Sequence, residues 1–287
     1  MQKMAYNFIV EVGVEELPAI PLLKELQNIE TKWKKVLEEN KLLCDFDFFY
    51  TPRRLVFAHN DMKKKQDDYN EEFFGAPVAI AYKDGELSNA GLSFAKKHNI
   101  QIEDIKSIEK NNKDVLYYKK DAKGELLSEL IENMLNTFLK SLNFGKMMRW
   151  GKGEFSFIRP IRWILLQFNE QSLKANCYGI QASNFSYGHR SISYDYFAIQ
   201  DTKQYFTALE HHKVILNQQS RKTKIIEEIQ KIEQEKNIKV ELDYELLNEI
   251  VAITEYPTVL LGSFDESFLK LPFEVVITSM KQHQRYF

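Results

Sequence analysis

FGKMMRWGKGEFSFIRPIRWILLQF, residues 144–168, predicts both the interior of the fold and its most basic surface. After Pro160, apolar side chains fill both alternating sets of positions over residues 161–166. A strand with two mostly apolar faces is typical of the middle of a sheet. We therefore expect Trp163 in the core and Arg162 paired with a carboxylate at the sheet edge.

The first part of this stretch, residues 146–159, is instead typical of an exposed loop. Glycines free its backbone, and Glu154 is its only acid. Guanidinium, ammonium and aromatic groups suit phosphate contacts and base stacking. Structural ion pairs are the alternative, and both interpretations stay open. The basic residues are Lys146, Arg149, Lys152 and Arg159.

The composition excludes several classes of protein. The 287 residues carry a formal net charge of -2, so RNA binding would have to come from a local basic patch. No apolar run reaches the roughly 20 residues of a membrane span, and the amino-terminal sequence lacks the pattern of a signal peptide. Cys44 and Cys177 are too few for a disulfide framework or a cysteine zinc site. We expect a cytoplasmic protein without a membrane.

Apolar periodicity predicts an α+β protein with mixed sheets, packed helices and two or more subdomains. Residues 1–60 form a β-α-β-type unit, in which strands at 6–14, 45–50 and 55–58 accompany a helix with an apolar stripe from 22 to 36. The first strand reads as buried, although Glu11 interrupts its apolar run.

Residues 61–143 form an α+β segment of uncertain independence. Residues 62–72 are charged and predict an exposed connection. A strand at 115–119 and a strong amphipathic helix at 127–142 follow.

Residues 144–287 form an α+β module that contains the basic and aromatic loop. The last helix begins at Pro272 and reaches Phe287 without a stop signal, which suggests a piece of a longer chain, truncated at its carboxyl end. The other predicted elements are strands at 173–178, 196–199 and 213–216, a charged helix at 221–236, a helix at 244–254 and a buried strand at 257–264.

The sequence contains no motif of an intact active site. The phosphate-binding loop, the HExxH zinc motif and the GxSxG nucleophile elbow are absent. Glu15 and Glu16 are adjacent, so in a strand they would point to opposite faces and could not act as a carboxylate pair.

Two short motifs add basic candidates. TPRR at 51–54 places Arg53 and Arg54 on a turn, where solvated side chains are the usual outcome. YGHR at 187–190 places His189 beside Arg190 in a loop, and a structural histidine is the favoured interpretation over a phosphate ligand. The terminal MKQHQRYF favours an interdomain contact.

Together these motifs resemble the N-terminal part of the beta subunit of bacterial heterotetrameric glycyl-tRNA synthetase. The resemblance extends over nearly the whole chain in the family's order. It is carried by FIVEVGVEELP (8–18), TPRRL (51–55), FGKMMRWGKGEFSFIRPIRWIL (144–165), YGHR (187–190) and the segment from TEYP to QRYF (254–287).

This resemblance implies a function that the residues alone do not give. The enzyme joins glycine to tRNA(Gly), and the catalytic centre lies on a separate alpha subunit that uses ATP with magnesium. The beta subunit then has no catalytic residue and no cofactor of its own here, but binds tRNA within an alpha2beta2 tetramer. The family's chain continues past residue 287 into an HD-like domain and an anticodon-binding domain. The RNA-binding candidates are Arg53, Arg54, Lys146, Arg149, Lys152, Arg159, His189 and Arg190.

Two other functions stay open beside tRNA positioning. The chain could be a purely structural scaffold for assembly of the alpha and beta subunits, with tRNA bound only by the later domains. A standalone hydrolase acting on mischarged tRNA is the third possibility, although no pair of nucleophile and base is visible.

Overall fold

The computed structural model describes residues 6–83, 85–151 and 153–287, which divide into two compact units. One unit is built from the chain up to Lys64 and again from Leu127, and the other is the inserted segment Lys65–Leu126. The predicted α+β class is confirmed. The units differ from the three predicted segments, because strands from residues 1–60 and 144–287 share one sheet.

The strands are, in chain order, β1 (Phe8–Val14), β2 (Phe46–Thr51), β3 (Arg54–His59), β4 (Tyr69–Pro77), β5 (Tyr82–Lys83), β6 (Glu86–Leu87), β7 (Lys106–Lys110), β8 (Lys113–Ala122), β9 (Met148–Arg149), β10 (Ser156–Phe157), β11 (Ile161–Phe168), β12 (Gln171–Ser172), β13 (Asn176–Cys177), β14 (Ile180–Gln181), β15 (Phe185–Tyr187) and β16 (Tyr196–Ala198).

The α-helices are α1 (Ala19–Glu39), α2 (Val78–Ala81), α3 (Asn89–His98), α4 (Leu127–Ser141), α5 (Tyr205–His211), α6 (Gln218–Lys236), α7 (Tyr244–Ile253) and α8 (Phe273–Thr278). Short 3₁₀ segments lie at Ile102–Asp104, Thr202–Gln204 and Glu266–Lys270, and a π-helical turn lies at Ser279–His283.

A five-stranded antiparallel sheet in the order β12-β11-β1-β3-β2 organises the larger unit. Strand β1 lies in its middle, with Val10 opposite Leu166 on one side and Phe57 on the other. This confirms that Ile161–Phe168 is an interior strand. Layers packed on both faces of the sheet bury both faces of β11, with Ile164 in one core and Leu165 in the other, which explains its mostly apolar sequence.

Each face of this sheet is covered by a different layer. Alternate residues of β1, beginning with Phe8 and Val10, pack in one core with α1 and α4. There Trp33 of α1 stacks on Phe57 with ring centroids 5.0 Å apart and meets Phe138 of α4 edge-on. Ile9 points to the other side, into a core with α5.

The inserted unit is a three-stranded antiparallel sheet, in the order β4-β8-β7, covered on one side by α2 and α3. Its core contains Ala81, Phe94 and Leu116. The ends of the insertion are joined, since the backbone N–H of Gln66 donates to the carbonyl of Glu125 at 2.9 Å. A closed base of this kind is typical of a separately packed insertion.

Two predicted strands are wrong, and a third is a strand only in part. Residues 257–264 form no strand and are not buried as a segment, and Leu260 is 83% exposed. Residues 213–216 are irregular, although Val214 is buried, and of 173–178 only β13 is a strand. The reason is the same in each case: apolar content was read as a strand, but a strand also needs a neighbouring strand to satisfy its backbone.

The segment 62–72, predicted to be an exposed connection, is one only in part, because its last residues belong to strand β4, which begins at Tyr69. The predicted helix at 127–142 is confirmed as α4.

Candidate nucleic-acid interface

Glu11, the acid in the middle of β1, is completely buried and lies at the centre of a polar cluster. Its Oε1 accepts hydrogen bonds from Trp163 Nε1 at 2.8 Å and from the Ser186 hydroxyl at 2.9 Å. Its Oε2 accepts the Tyr205 hydroxyl at 2.7 Å. The pKa of Tyr205 is raised well above its ordinary value, mainly by burial and secondly by the neighbouring Glu11 carboxylate, so the phenol remains a donor.

Arg54 connects this carboxylate to a second one. Its Nη1 lies 3.2 Å from Glu11 Oε1 and its Nη2 lies 3.0 Å from Glu255 Oε1. Nη2 also donates to the carbonyl of Tyr187 at 2.9 Å. Burial by itself lowers the pKa of Arg54, but Glu255 and Glu11 outweigh burial and hold the pKa above its ordinary value. The guanidinium is therefore fully used inside the protein.

Arg53 is buried beside it. Its Nη1 donates to the carbonyl of Gly188 at 3.1 Å and lies 3.8 Å from Glu255 Oε2. Its guanidinium carbon lies 5.4 Å and 5.2 Å from the ring centroids of Trp163 and Tyr194. Burial, which is only partly offset by Glu255, lowers its pKa. The expectation that the arginines of TPRR are solvated is wrong, because carboxylates distant in sequence fold onto them.

The YGHR loop lies against TPRR, since both arginines donate to its backbone carbonyls. Arg190 reaches outward, with its Nη1 3.3 Å from Glu16 and 3.7 Å from Glu15. The two glutamates therefore converge on one arginine and do not point to opposite sides, because β1 ends at Val14, before either of them. His189 is half-buried, and its Nδ1 accepts the backbone N–H of Ser191 at 3.2 Å.

Arg162 is exposed on β11, and its Nε lies 3.3 Å from Glu15. This confirms the predicted pairing with a carboxylate. The surface formed by Arg162, Arg190, Glu15 and Glu16 is thus balanced in charge, and it offers little net attraction to a polyanion.

The basic loop is different. Lys146 and Arg149 are exposed, and within the residues that the structure describes neither forms an ion pair. Arg159 is half-buried and donates to the carbonyl of its neighbour Ile158 at 3.1 Å. Lys152 lies outside the described residues. The two exposed cations are available to an anionic partner.

Aromatic rings and a short hairpin hold this loop. Strand β9 pairs with β10, with Arg149 opposite Ser156. Phe155 stacks on Tyr178 with centroids 4.7 Å apart, and Trp150 is stacked 6.5 Å from the same ring. Gly151 has a φ of +60°, a backbone conformation that residues other than glycine rarely adopt. The loop therefore presents its cations from an ordered aromatic base.

The candidate residues thus separate into two groups. Arg53, Arg54, His189 and Arg190 come together, whereas among the described residues no hydrogen bond or ion pair joins them to the basic loop.

Sequence reasoning missed several buried charges in the described residues, among them Glu11, Glu255 and Arg221. Arg221 Nη1 donates to the carbonyl of Ile215 at 2.7 Å and its Nη2 to that of Tyr50 at 2.8 Å. Burial lowers its pKa to about 10. The sequence did contain an indication that Arg221 is buried, because it lies one helical turn before Ile225 on the inward face of α6. For Glu11 the signal was a charge inside an interior strand.

A metal-binding cluster and a membrane-spanning helix are both absent from the described part of the chain. It holds no group of three or more His, Cys, Asp or Glu side chains arranged for a metal ion. It also has no helix with the length and apolarity needed to cross a bilayer.

Comparison with known proteins identifies the family. The model of the glycyl-tRNA synthetase beta subunit family matches residues 8–287, and the chain belongs to this family. This confirms the resemblance carried by the sequence motifs.

Curated relatives agree. The glycine–tRNA ligase beta subunit of Helicobacter pylori strain G27 is 42% identical over 290 residues, which cover 98% of this chain and 41% of the relative. Proteins of the same name from Moorella thermoacetica and Thermotoga neapolitana are 36% and 34% identical over 99% and 97% of the chain. In each case the match covers 41% of the relative, so the chain spans about two fifths of their length.

Proposed function

We propose that this chain serves as the N-terminal part of the non-catalytic beta subunit of glycine–tRNA ligase. In this proposal the enzyme joins glycine to tRNA(Gly) with ATP and magnesium on the alpha subunit, within an alpha2beta2 tetramer. The chain helps to assemble the complex and positions the tRNA. The family match over residues 8–287 carries the proposal. By itself the chain is expected to have no ligase activity.

The contact with tRNA is assigned to the basic loop. Lys146 and Arg149 are exposed, and among the described side chains no carboxylate pairs with them. Arg53 and Arg54, by contrast, are engaged with Glu11 and Glu255 and carry no part of this proposal. Cations that neutralise phosphates fix the position of a nucleic acid without reading its sequence.

A salt titration with a double variant tests this contact. The change Lys146→Ala with Arg149→Ala should weaken tRNA binding. It should also make the fall of log affinity with log salt less steep by about 2, since each lost phosphate contact means that about one counterion fewer is released from the tRNA on binding. The control is Lys24→Ala with Lys34→Ala, two exposed lysines of α1. Fluorescence anisotropy with labelled tRNA measures both. An equal slope in the two double variants would reject the assignment to the loop.

The scaffold function is the second candidate, and one observation supports it. Residues 260–287 expose many apolar side chains, and Phe273 is 73% exposed. A cavity of about 760 Å³ lies between these residues and the segment around Leu242. Exposed apolar patches of this kind are typical of protein interfaces.

Size-exclusion chromatography with light scattering separates the two functions. Co-elution with the alpha subunit without tRNA, abolished by Phe273→Asp, would favour the scaffold. Salt-sensitive co-elution with tRNA, abolished by the Lys146 and Arg149 substitutions, would favour tRNA positioning. If neither partner co-elutes, both proposals for this part of the subunit fail.

A further inference from the structure

The inserted unit Lys65–Leu126 presents one open face of its sheet. Helices α2 and α3 cover the opposite face, where Leu116 and Phe94 form the core with Phe73 and Tyr118 at its border. Side chains alternate along a strand, so the neighbours of these residues point outward. Phe74 and Tyr117, which are cross-strand partners, therefore lie together on the open face.

These two rings form a small aromatic platform. Their centroids lie 5.5 Å apart, and Phe74 is 41% exposed. The Tyr117 hydroxyl donates to Glu72 at 2.8 Å, which fixes the orientation of that ring. An aromatic pair that is partly exposed on an open sheet face can offer its rings to a planar ligand.

Lysines surround the platform. The register places Lys106 opposite Tyr117, Lys119 opposite Glu72, and Lys110 opposite Lys113, so all four lysines share the open face. They are exposed, and within the described residues none of them forms an ion pair. The acids on this face are Glu72 and Asp121. Four cations against two acids give the face a formal charge of +2.

Lys110 already shows that a ring of the platform is accessible. Its Nζ lies 3.4 Å from the centroid of Phe74. A cation–π contact on an exposed ring is weaker than the stacking of a nucleic-acid base on it. An arriving base can therefore take the place of the ammonium, which is then free to contact the adjacent phosphate.

We propose that this open face binds unpaired nucleotides of RNA, with bases stacked on Phe74 and Tyr117 and phosphates held by the surrounding lysines. A sheet that combines aromatic rings with basic side chains suits single strands, because bases in a duplex are stacked on each other and cannot reach the rings. An acidic peptide would use only the lysines. The inference does not depend on the basic loop, which lies in the other unit.

The experiment uses the whole chain and fluorescence anisotropy with a labelled oligouridylate of about 12 nucleotides, within the range of single-strand site sizes. A duplex RNA of equal length and heparin serve as competitors. We expect the single strand to bind more tightly than the duplex. Phe74→Ala and Tyr117→Ala should each weaken binding at least about fivefold, the lower end for loss of one stacked base.

Further variants separate stacking from other causes. Tyr117→Phe keeps the ring and loses the hydroxyl, so its affinity should stay near that of the unchanged protein. Lys119→Ala should weaken binding, whereas Lys120→Ala, which changes the next residue on the covered side of β8, should not. Phe185→Ala is the aromatic control, because Phe185 is exposed in the larger unit. Equal melting temperatures confirm that the variants fold.

Two outcomes would overturn the inference. Unchanged binding in both Phe74→Ala and Tyr117→Ala would exclude stacking, and so would duplex RNA competing as well as the single strand. The loop variant Lys146→Ala with Arg149→Ala distinguishes the two proposals. If this variant loses tRNA but keeps oligouridylate, both stand. If it keeps tRNA, only the proposed loop contact fails.

Discussion

Replacing Glu255 with glutamine should destabilise the protein by removing one charge from the buried ion cluster. The Glu255 carboxylate lies 3.0 Å from Arg54 and 3.8 Å from Arg53, and all three side chains are buried. With glutamine at this position, two buried guanidiniums would share the single carboxylate of Glu11. The cluster would then hold an uncompensated positive charge.

The magnitude follows from the burial of the group. Removing one partner of a buried ion pair costs about 3–5 kcal/mol, because the remaining charge stays desolvated. Glutamine keeps a carbonyl oxygen that can still accept the hydrogen bond of Thr51, which now reaches Glu255 at 2.7 Å. We therefore expect a loss near the lower end, about 3 kcal/mol, a large part of the ~5–15 kcal/mol that stabilises a typical domain.

Urea unfolding followed by tryptophan fluorescence measures this loss. The three tryptophans all lie in the larger unit, so the signal reports the unit that contains the cluster. The midpoint should fall while the dependence on urea stays constant. Glu249→Gln is the control, because Glu249 lies 2.9 Å from Arg285 in a partly exposed pair whose loss should cost at most ~1 kcal/mol.

A double variant makes the test decisive. Adding Arg53→Met to Glu255→Gln restores the charge balance, so the combined loss should be smaller than the sum of the two single losses. A loss below about 1 kcal/mol in Glu255→Gln alone would refute the reasoning, because it would mean that Glu11 is sufficient to neutralise the cluster.

Two further predictions concern the sheet. His59 is buried and accepts the Trp33 indole N–H at 2.9 Å, and burial lowers its pKa to about 3. The unfolded histidine takes up a proton below about pH 6.5 and the folded one does not, so stability should decrease as the pH is lowered, by about 1.6 kcal/mol between pH 6.5 and 5. His59→Gln should remove this part of the pH dependence in urea titrations. Gly13→Ala would place a methyl group 1.9 Å from ring atoms of Trp163, so thermal unfolding should show a loss of stability of ~1–3 kcal/mol. The control is Gly262→Ala, whose methyl group would meet no atom within 4 Å and should leave the stability unchanged. An unchanged melting temperature in Gly13→Ala would show that the Trp163 ring can move aside.

Local patterns were sufficient for the elements that depend on neighbours in sequence. The interior strand predicted at 161–166 and helix α4 both followed from the local apolar pattern, because a run that is apolar on both faces and an apolar helical stripe each indicate which side chains are buried. The pairing of Arg162 with a carboxylate was also predicted, and its contact with Glu15 on the exposed side of β11 confirms it.

The candidate site was predicted less well. Lys146 and Arg149 are exposed as expected, but Arg53 and Arg54 are not. Arg54 is separated from Glu255 by 201 positions in the sequence, and no local pattern indicates that a carboxylate this distant would cover a turn.

The sequence by itself therefore determined the α+β class, the family and the position of the basic loop, because these depend on short motifs and on local periodicity. Only the tertiary structure decided which basic residues are available to a partner. Desolvation and pairing depend on distance in space, so the same residue type is a buried ion at Arg54 and an exposed cation at Arg149. The same reason applies to the open face of the inserted unit, where the register of three strands gathers Phe74, Tyr117 and four lysines.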